Sequence, residues 1–164
     1  MQYKGGPVQY ISFDATGVHV GDAAQTQVGG SVTYDLIKGL YIKSRITYFG
    51  RHWSEFDPMS LDGVNARRES WQMPDYYLID FHFGYSHKIK DMWFNWRVSV
   101  LNATDAVYLS DGQNNEGRAL YIDDGAPNFD AQSAGVFYGQ GIRFNTSLKI
   151  NFDLKKKEKS TETE

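Results

Sequence analysis

Charged and polar side chains recur at alternate positions inside otherwise apolar segments of this sequence. The positions are Lys43, Arg45, Asp80, His82, Asn95, Arg97, Arg143, Asn145 and Lys149. His82 lies two residues from Asp80, which is about 7 Å along an extended strand. Zinc needs more ligands than this pair provides, so we expect no metal site and assign these groups to a wet or protein-covered face.

No motif for covalent chemistry accompanies these groups. The chain contains neither a Gly-x-Ser-x-Gly elbow nor a phosphate-binding loop. The acidic run around Asp123, Asp124 and Asp130 does not have the spacing of a calcium loop. Net charge is -3, which gives no electrostatic reason to expect nucleic acid as a partner. We therefore expect a protein that is not an enzyme and carries no cofactor.

Aromatic and arginine side chains in the long polar segments are candidates for ligand contact. They are Trp53, Arg67, Arg68, Trp71 and Tyr121. Aromatic rings stack on sugars, and guanidinium groups pair with anionic groups. Packing within the loops, or anchoring at a membrane interface, is the alternative role for each of them.

Period-two alternation organises most of the chain and predicts about six strands. Their ranges are 7–14, 26–36, 40–50, 77–86, 93–102 and 141–152. Short turns join the second strand to the third and the fourth to the fifth. Long segments, 51–76 and 103–135, lie between the other pairs and are predicted to be loops. Alternation of tight turns and long loops is typical of a membrane barrel.

Composition agrees with an all-β protein. Aromatic residues make up 15% of the chain, glycine is frequent and cysteine is absent. Two architectures fit this pattern: a soluble antiparallel sheet with one wet face, and a transmembrane barrel. Large apolar residues opposite charged ones favour the second. The prediction is an antiparallel up-and-down transmembrane β-barrel, here a partial barrel of about six meandering strands.

Several segments resemble a known family. "VGDAAQTQVGGSVTYDLIKGLYIKSRITYFGRHWSEFDP" (20–58) and "MPDYYLIDFHFGYSHKI" (73–89) resemble barrel strands of TonB-dependent outer-membrane receptors, in the branch with a regulatory or starch-utilisation-type N-terminus. "RVSVLNATDAVYLSD" (97–111) is similar to the family's "N-N-L-F-D-x-x-Y" segment, with Asn102, Asp105 and Tyr108 in step. Ala103 and Thr104 depart from it. "VFYGQGIRFNTSLKINF" (136–152) resembles the closing strand.

The resemblance implies a receptor that takes up a scarce nutrient, a metal chelate or an oligosaccharide, across the cell outer membrane. The family barrel has about 22 strands around a plug, so this chain is expected to be a fragment: 1–152 is the C-terminal part of the barrel and 153–164 a disordered charged tail. Implied partners are outer-membrane lipid, the barrel insertion machinery, the missing N-terminal strands and plug, and TonB through that plug.

The last predicted strand also resembles the outer-membrane assembly signal. Its elements are Asn145, Ser147, Ile150 and Phe152. The family usually has glycine where Ser147 stands. Two other functions stay open from the sequence: a small autonomous outer-membrane barrel, as an adhesin or pore, and a soluble carbohydrate-binding β-sandwich.

Overall fold

Strands dominate the computed structural model, which describes residues 10, 12–114, 130–132 and 134–152. The strands are β1 (Thr26–Ile37), β2 (Leu40–Gly50), β3 (His52–Trp53), β4 (Gln72–Met73), β5 (Tyr76–Ile89), β6 (Met92–Leu101), β7 (Leu109–Asn114), β8 (Ala134–Tyr138) and β9 (Arg143–Phe152). The described residues also form two 3-10 helices, Pro58–Ser60 and Gly63–Asn65, and contain no α-helix. The all-β prediction is confirmed.

Five strands form one antiparallel sheet in the order β1-β2-β5-β6-β9. They match five of the predicted strands to within a few residues at each end. The turn between β1 and β2 places Gly39 at φ 86, and a Cβ there would overlap the Ser86 carbonyl oxygen. The Ser86 N–H donates to the Gly39 carbonyl oxygen at 2.7 Å, so glycine is required where the two backbones meet.

The two long connecting segments are not loops throughout, which corrects the prediction for 51–76 and 103–135. In the first segment β3 pairs with β4. In the second, β7 pairs with β8, which begins inside the segment and extends beyond it. Both pairs are antiparallel. A bridge also joins Glu55 and Gln113. These short strands were not predicted because neither segment contains a long run of alternating apolar and polar residues.

The first predicted strand, 7–14, is wrong for the part that the structure describes. Residues 12–14 have no strand conformation. The Asp14 N–H donates to the Leu61 carbonyl oxygen at 3.0 Å, and the Arg67 N–H donates to the Asp14 carbonyl oxygen at 2.7 Å. The backbone of Asp14 is thus bonded to an irregular segment and not to a strand ladder. Residues 1–9 and the tail 153–164 lie outside the described residues.

The chain divides into two compact units, and strands β1, β2 and β5 have residues in both. The loop unit comprises the described residues of 1–28, 48–77 and 107–140, and the strand unit those of 29–47, 78–106 and 141–164. The loop unit has an apolar core of Ala24, Trp53, Leu61 and Met73. Among the described residues of the strand unit no hydrophobic side chain is buried. Glycine apart, only Asp80 and Asn102 are buried there.

Candidate functional site

An ion pair occupies the polar face of the strand unit. Arg45 donates to the same oxygen of Asp80 from Nη2 at 2.6 Å and from Nε at 3.1 Å. The Asn102 backbone N–H donates to the other carboxylate oxygen at 3.0 Å. Both oxygens of the buried carboxylate are therefore satisfied, as a buried charge requires. The sequence placed Arg45 and Asp80 on one face, and the structure brings them together.

The polar registers of β5 and β6 are connected by side-chain hydrogen bonds. His82 Nδ1 lies 2.8 Å from Ser99 Oγ, and Ser86 donates to Asn95 at 2.8 Å. The β5–β6 register places each of these residues directly opposite its partner. His82 is two residues from Asp80 in sequence, but the described residues hold no group of three or more metal-ligating side chains.

A polar groove lies farther along the same face. Asn95, Arg97, Ser147, Lys149 and Asn151 line it, and its volume is about 330 Å³. The register sets Asn95 opposite Lys149 and Arg97 opposite Ser147, so these side chains share one face of β6 and β9. Of the residues predicted to be lumen-facing, three therefore meet in one groove.

Lys43, Arg143 and Asn145 are the remaining residues predicted for the polar face. Lys43 is half-buried on β2, in the same register as Arg45. Arg143 and Asn145 are exposed on β9, opposite Leu101 and Ser99. The structure does not bring these three into the groove.

The opposite face of the sheet carries large apolar side chains in the open. Examples are Val32 at 73% exposure, Phe144 at 69% and Leu148 at 61%. Ile37, Leu40, Phe83, Tyr85, Trp96 and Val98 border a groove of about 550 Å³ on this face. The indole of Trp96 donates to the Thr146 hydroxyl at 2.9 Å, which pairs two polar groups within the apolar register.

The predicted assembly signal lies on β9. Asn145 and Ser147 stand in the polar register, and Ile150 and Phe152 in the apolar register. All four are exposed on a strand whose only described sheet neighbour is β6. Recognition of this strand by insertion machinery stays a prediction.

The loop unit places the predicted ligand-contact residues in different surroundings. Trp53 is 6% exposed, and its ring stacks on His19 with centroids 4.0 Å apart. Arg51 lies over the same ring at 5.8 Å. These contacts give Trp53 a packing role in the core of the unit. Trp71 is half-buried, and its backbone N–H donates to Ser54 Oγ at 3.2 Å.

Both arginines of this set are bonded to side chains of their own unit. Arg67 donates to Asp14 at 2.6 Å, and Arg68 donates to Asn65 at 3.0 Å. Hydrogen bonds from Thr16, and after them from the Arg67 guanidinium, lower the pKa of Asp14 to about 2. These bonds tie the segment before β1 to the segment before β4. Tyr121 lies outside the described residues.

Two further titratable groups have shifted pKa values in the loop unit. Burial acts to raise the pKa of Glu69, but hydrogen bonds from His19 and Ser70 outweigh it and lower that pKa. Burial lowers the pKa of His52, against the opposing influence of Asp111 and Asp22. His52 is 4% exposed, and neither ring nitrogen has a hydrogen-bond partner within the described residues. It is therefore neutral near pH 7.

The sequence matched Asn102 and Asp105, in the segment that follows β6, to a family motif but predicted no contact for either. Asn102 and Asp105 both adopt left-handed backbone angles, φ 48 and φ 51. The Asn102 side chain bonds both backbone groups of Ala106 at 2.9 Å, and Asp105 accepts from the Ile142 N–H at 2.9 Å. Asn and Asp tolerate this conformation best, which is the signal that could have identified them. Through Asp105 this segment is bonded to Ile142, the residue before β9.

No family model, curated protein or solved structure matches this chain. The described residues contain no helix long and apolar enough to cross a membrane.

Proposed function

We propose that this chain supplies wall strands of an outer-membrane β-barrel. The inverted burial of the strand unit carries the proposal: among its described residues the buried side chains are Asp80 and Asn102, whereas Val32, Phe144 and Leu148 are open. In water, a sheet with this distribution exposes a large apolar patch and gains little from folding. Lipid against the apolar face removes that patch.

The apolar register supports a lipid-facing role along its whole length. The residues of β5, β6 and β9 that share this face contain no Asp, Glu, Lys or Arg. Those strands have 14, 10 and 10 residues, enough to cross a bilayer when tilted, which takes about 9–11. The Trp96–Thr146 bond fits the same environment, because hydrocarbon offers no partner to an indole N–H.

Within such a barrel the chain belongs to an active-transport receptor for a scarce nutrient, a metal chelate or an oligosaccharide, that draws energy from TonB. The resemblance to receptor strands over most of residues 20–152 supports this assignment. Five strands do not enclose a lumen wide enough for a plug, so further strands and the plug complete the receptor. The polar side chains of this chain contact the plug or line the permeation route, and the chain performs no covalent chemistry.

Single cysteines on adjacent residues of β1 test the lipid-facing assignment. The chain has no cysteine, so Val32→Cys and Thr33→Cys each carry one fluorescent label without background. Alternation places the two labels on opposite faces. In phosphatidylcholine vesicles that contain doxyl-labelled lipid, we expect the label at 32 to be quenched several-fold more than the label at 33.

Equal quenching of both labels would contradict the proposal, as would cooperative unfolding of a monomer in buffer without detergent. Swelling of vesicles that contain the chain separates the receptor from an autonomous pore. A pore admits arabinose and the vesicles swell, whereas wall strands of an incomplete receptor give no swelling.

A further inference from the structure

The groove on the polar face is positively charged in a chain that is negative overall. Strands β5, β6 and β9 carry four Lys or Arg residues and a single carboxylate, Asp80, while the whole chain has a net charge of -3. Asp80 is already bonded to Arg45 and to the Asn102 N–H. It therefore has no free oxygen for the cations of the groove.

Arg97 and Lys149 are the two cations that line this groove. Neither forms an ion pair within the described residues. Across the strands, Arg97 faces Gly84 and Ser147, and Lys149 faces Asn95. Every cross-strand neighbour is thus neutral, and Arg97 and Lys149 themselves lie diagonally, about 7–8 Å apart at Cα.

The neutral side chains add hydrogen-bond donors to the same space. Asn95 accepts from Ser86 through its amide oxygen, which leaves its NH₂ group for a ligand. Asn151 and Ser147 line the groove beside it. Two cations with amide and hydroxyl donors suit a group with several anionic oxygens, because charge-assisted hydrogen bonds to such oxygens are the strong ones.

We infer that this groove binds a small solute bearing a phosphate or carboxylate group, with Arg97 and Lys149 on the anionic oxygens. Asn95, Ser147 and Asn151 donate to the remaining oxygens. The volume of about 330 Å³ accommodates a solute the size of a monosaccharide. The inference rests on the groove alone and holds whatever medium covers the opposite face.

Calorimetry with inorganic phosphate tests the site on the full chain in a neutral detergent. We expect saturable binding that Arg97→Gln weakens about tenfold or more, with a smaller loss for Lys149→Gln. Arg97→Lys keeps the charge but loses the guanidinium fork, so its affinity for phosphate should fall between that of the unaltered chain and that of Arg97→Gln. Lys38→Gln, in the turn between β1 and β2, removes one positive charge elsewhere in the unit and should change affinity less than about twofold.

Side-chain amide resonances locate binding without any variant. Phosphate should shift the NH₂ signals of Asn95 and Asn151 and leave that of Asn65 unchanged. Titration with glycerophosphoglycerol, the water-soluble headgroup of phosphatidylglycerol, identifies the source of the anion: tighter binding than phosphate assigns a lipid headgroup, and weaker binding assigns a free solute. Absence of saturable phosphate binding, or equal losses from Arg97→Gln and Lys38→Gln, would overturn the inference.

Discussion

The loop unit and the strand unit bury opposite kinds of side chain. In the loop unit Leu61 and Met73 are 0% and 2% exposed, and charged groups such as Arg67 and Glu69 lie at the surface. In the strand unit Asp80 is 6% exposed, while Leu148 is 61% exposed. One chain therefore contains a unit with buried apolar side chains and a unit in which the buried side chains of the described residues are polar.

This difference shows that burial has to be interpreted together with the surrounding medium. Leu61 is stabilised by leaving water for the interior of its own unit. Leu148 is 61% exposed, so among the described residues it gains no comparable burial. The buried carboxylate of Asp80, paired with the half-exposed Arg45, shows the same inversion from the other side of the sheet.

The same substitution in the two units should give the largest contrast. Leu61→Ala removes a fully buried side chain and should lower the free energy of unfolding by about 2–5 kcal/mol. Leu148→Ala, on the open face, should lower it by less than about 1 kcal/mol. Urea unfolding in a neutral detergent, followed by circular dichroism, measures both. Similar losses would mean that the strand unit has an interior after all.

Removal of Arg45 should have the next largest effect. Arg45→Met leaves the buried carboxylate of Asp80 with the Asn102 N–H alone, and an uncompensated buried charge is costly. The Arg45 side chain is itself 52% exposed, which reduces the loss to about 2 kcal/mol.

Lys43→Met on the same strand provides the control for Arg45→Met and should change stability by less than about 0.5 kcal/mol. The double variant Arg45→Met/Asp80→Asn should recover part of the loss, because its amide carries no charge. If Arg45→Met and Lys43→Met were equally stable, the ion pair would be incidental to the fold.

Acidification should produce the smallest effect, in the loop unit. The pKa of Asp14 is lowered to about 2, below its ordinary value of 3.8. A lowered pKa means that the stabilising bonds are intact above pH 4 and are lost as the pH falls through about 2. The carboxyl carbon of Asp14, followed by NMR, should titrate near pH 2. Arg67→Gln should raise that midpoint only in part, since Thr16 remains, and Arg68→Gln should leave it unchanged.

Alternation in the sequence was sufficient to predict the strands of the large sheet, because a period of two is a local property of each segment. It placed β2 at its observed bounds and β9 within two residues. It misjudged residues 12–14, where the same kind of pattern is short and the backbone of Asp14 bonds to distant residues. Local pattern does not reveal which ladder, if any, a segment joins.

The site was less predictable than the strands because it depends on register. The sequence placed Arg45 and Asp80 on polar faces, but they are 35 residues apart and only strand pairing makes them neighbours. The groove formed by Arg97, Ser147 and Lys149 depends on the β6–β9 register in the same way. Trp53 could not be assigned for a different reason, since a tryptophan in a polar segment has the same sequence context whether it is exposed or packed, and here it is packed.

The hydrogen bond between Trp96 and Thr146 has a consequence for strand alignment. Alternation prevents β9 from shifting by one residue against β6, because every side chain would change face, but a shift of two residues keeps all faces correct. Such a shift would move the Thr146 hydroxyl by about 7 Å and leave the indole N–H without its acceptor. A single threonine in an apolar row thus selects one alignment among those that side-chain polarity alone would accept.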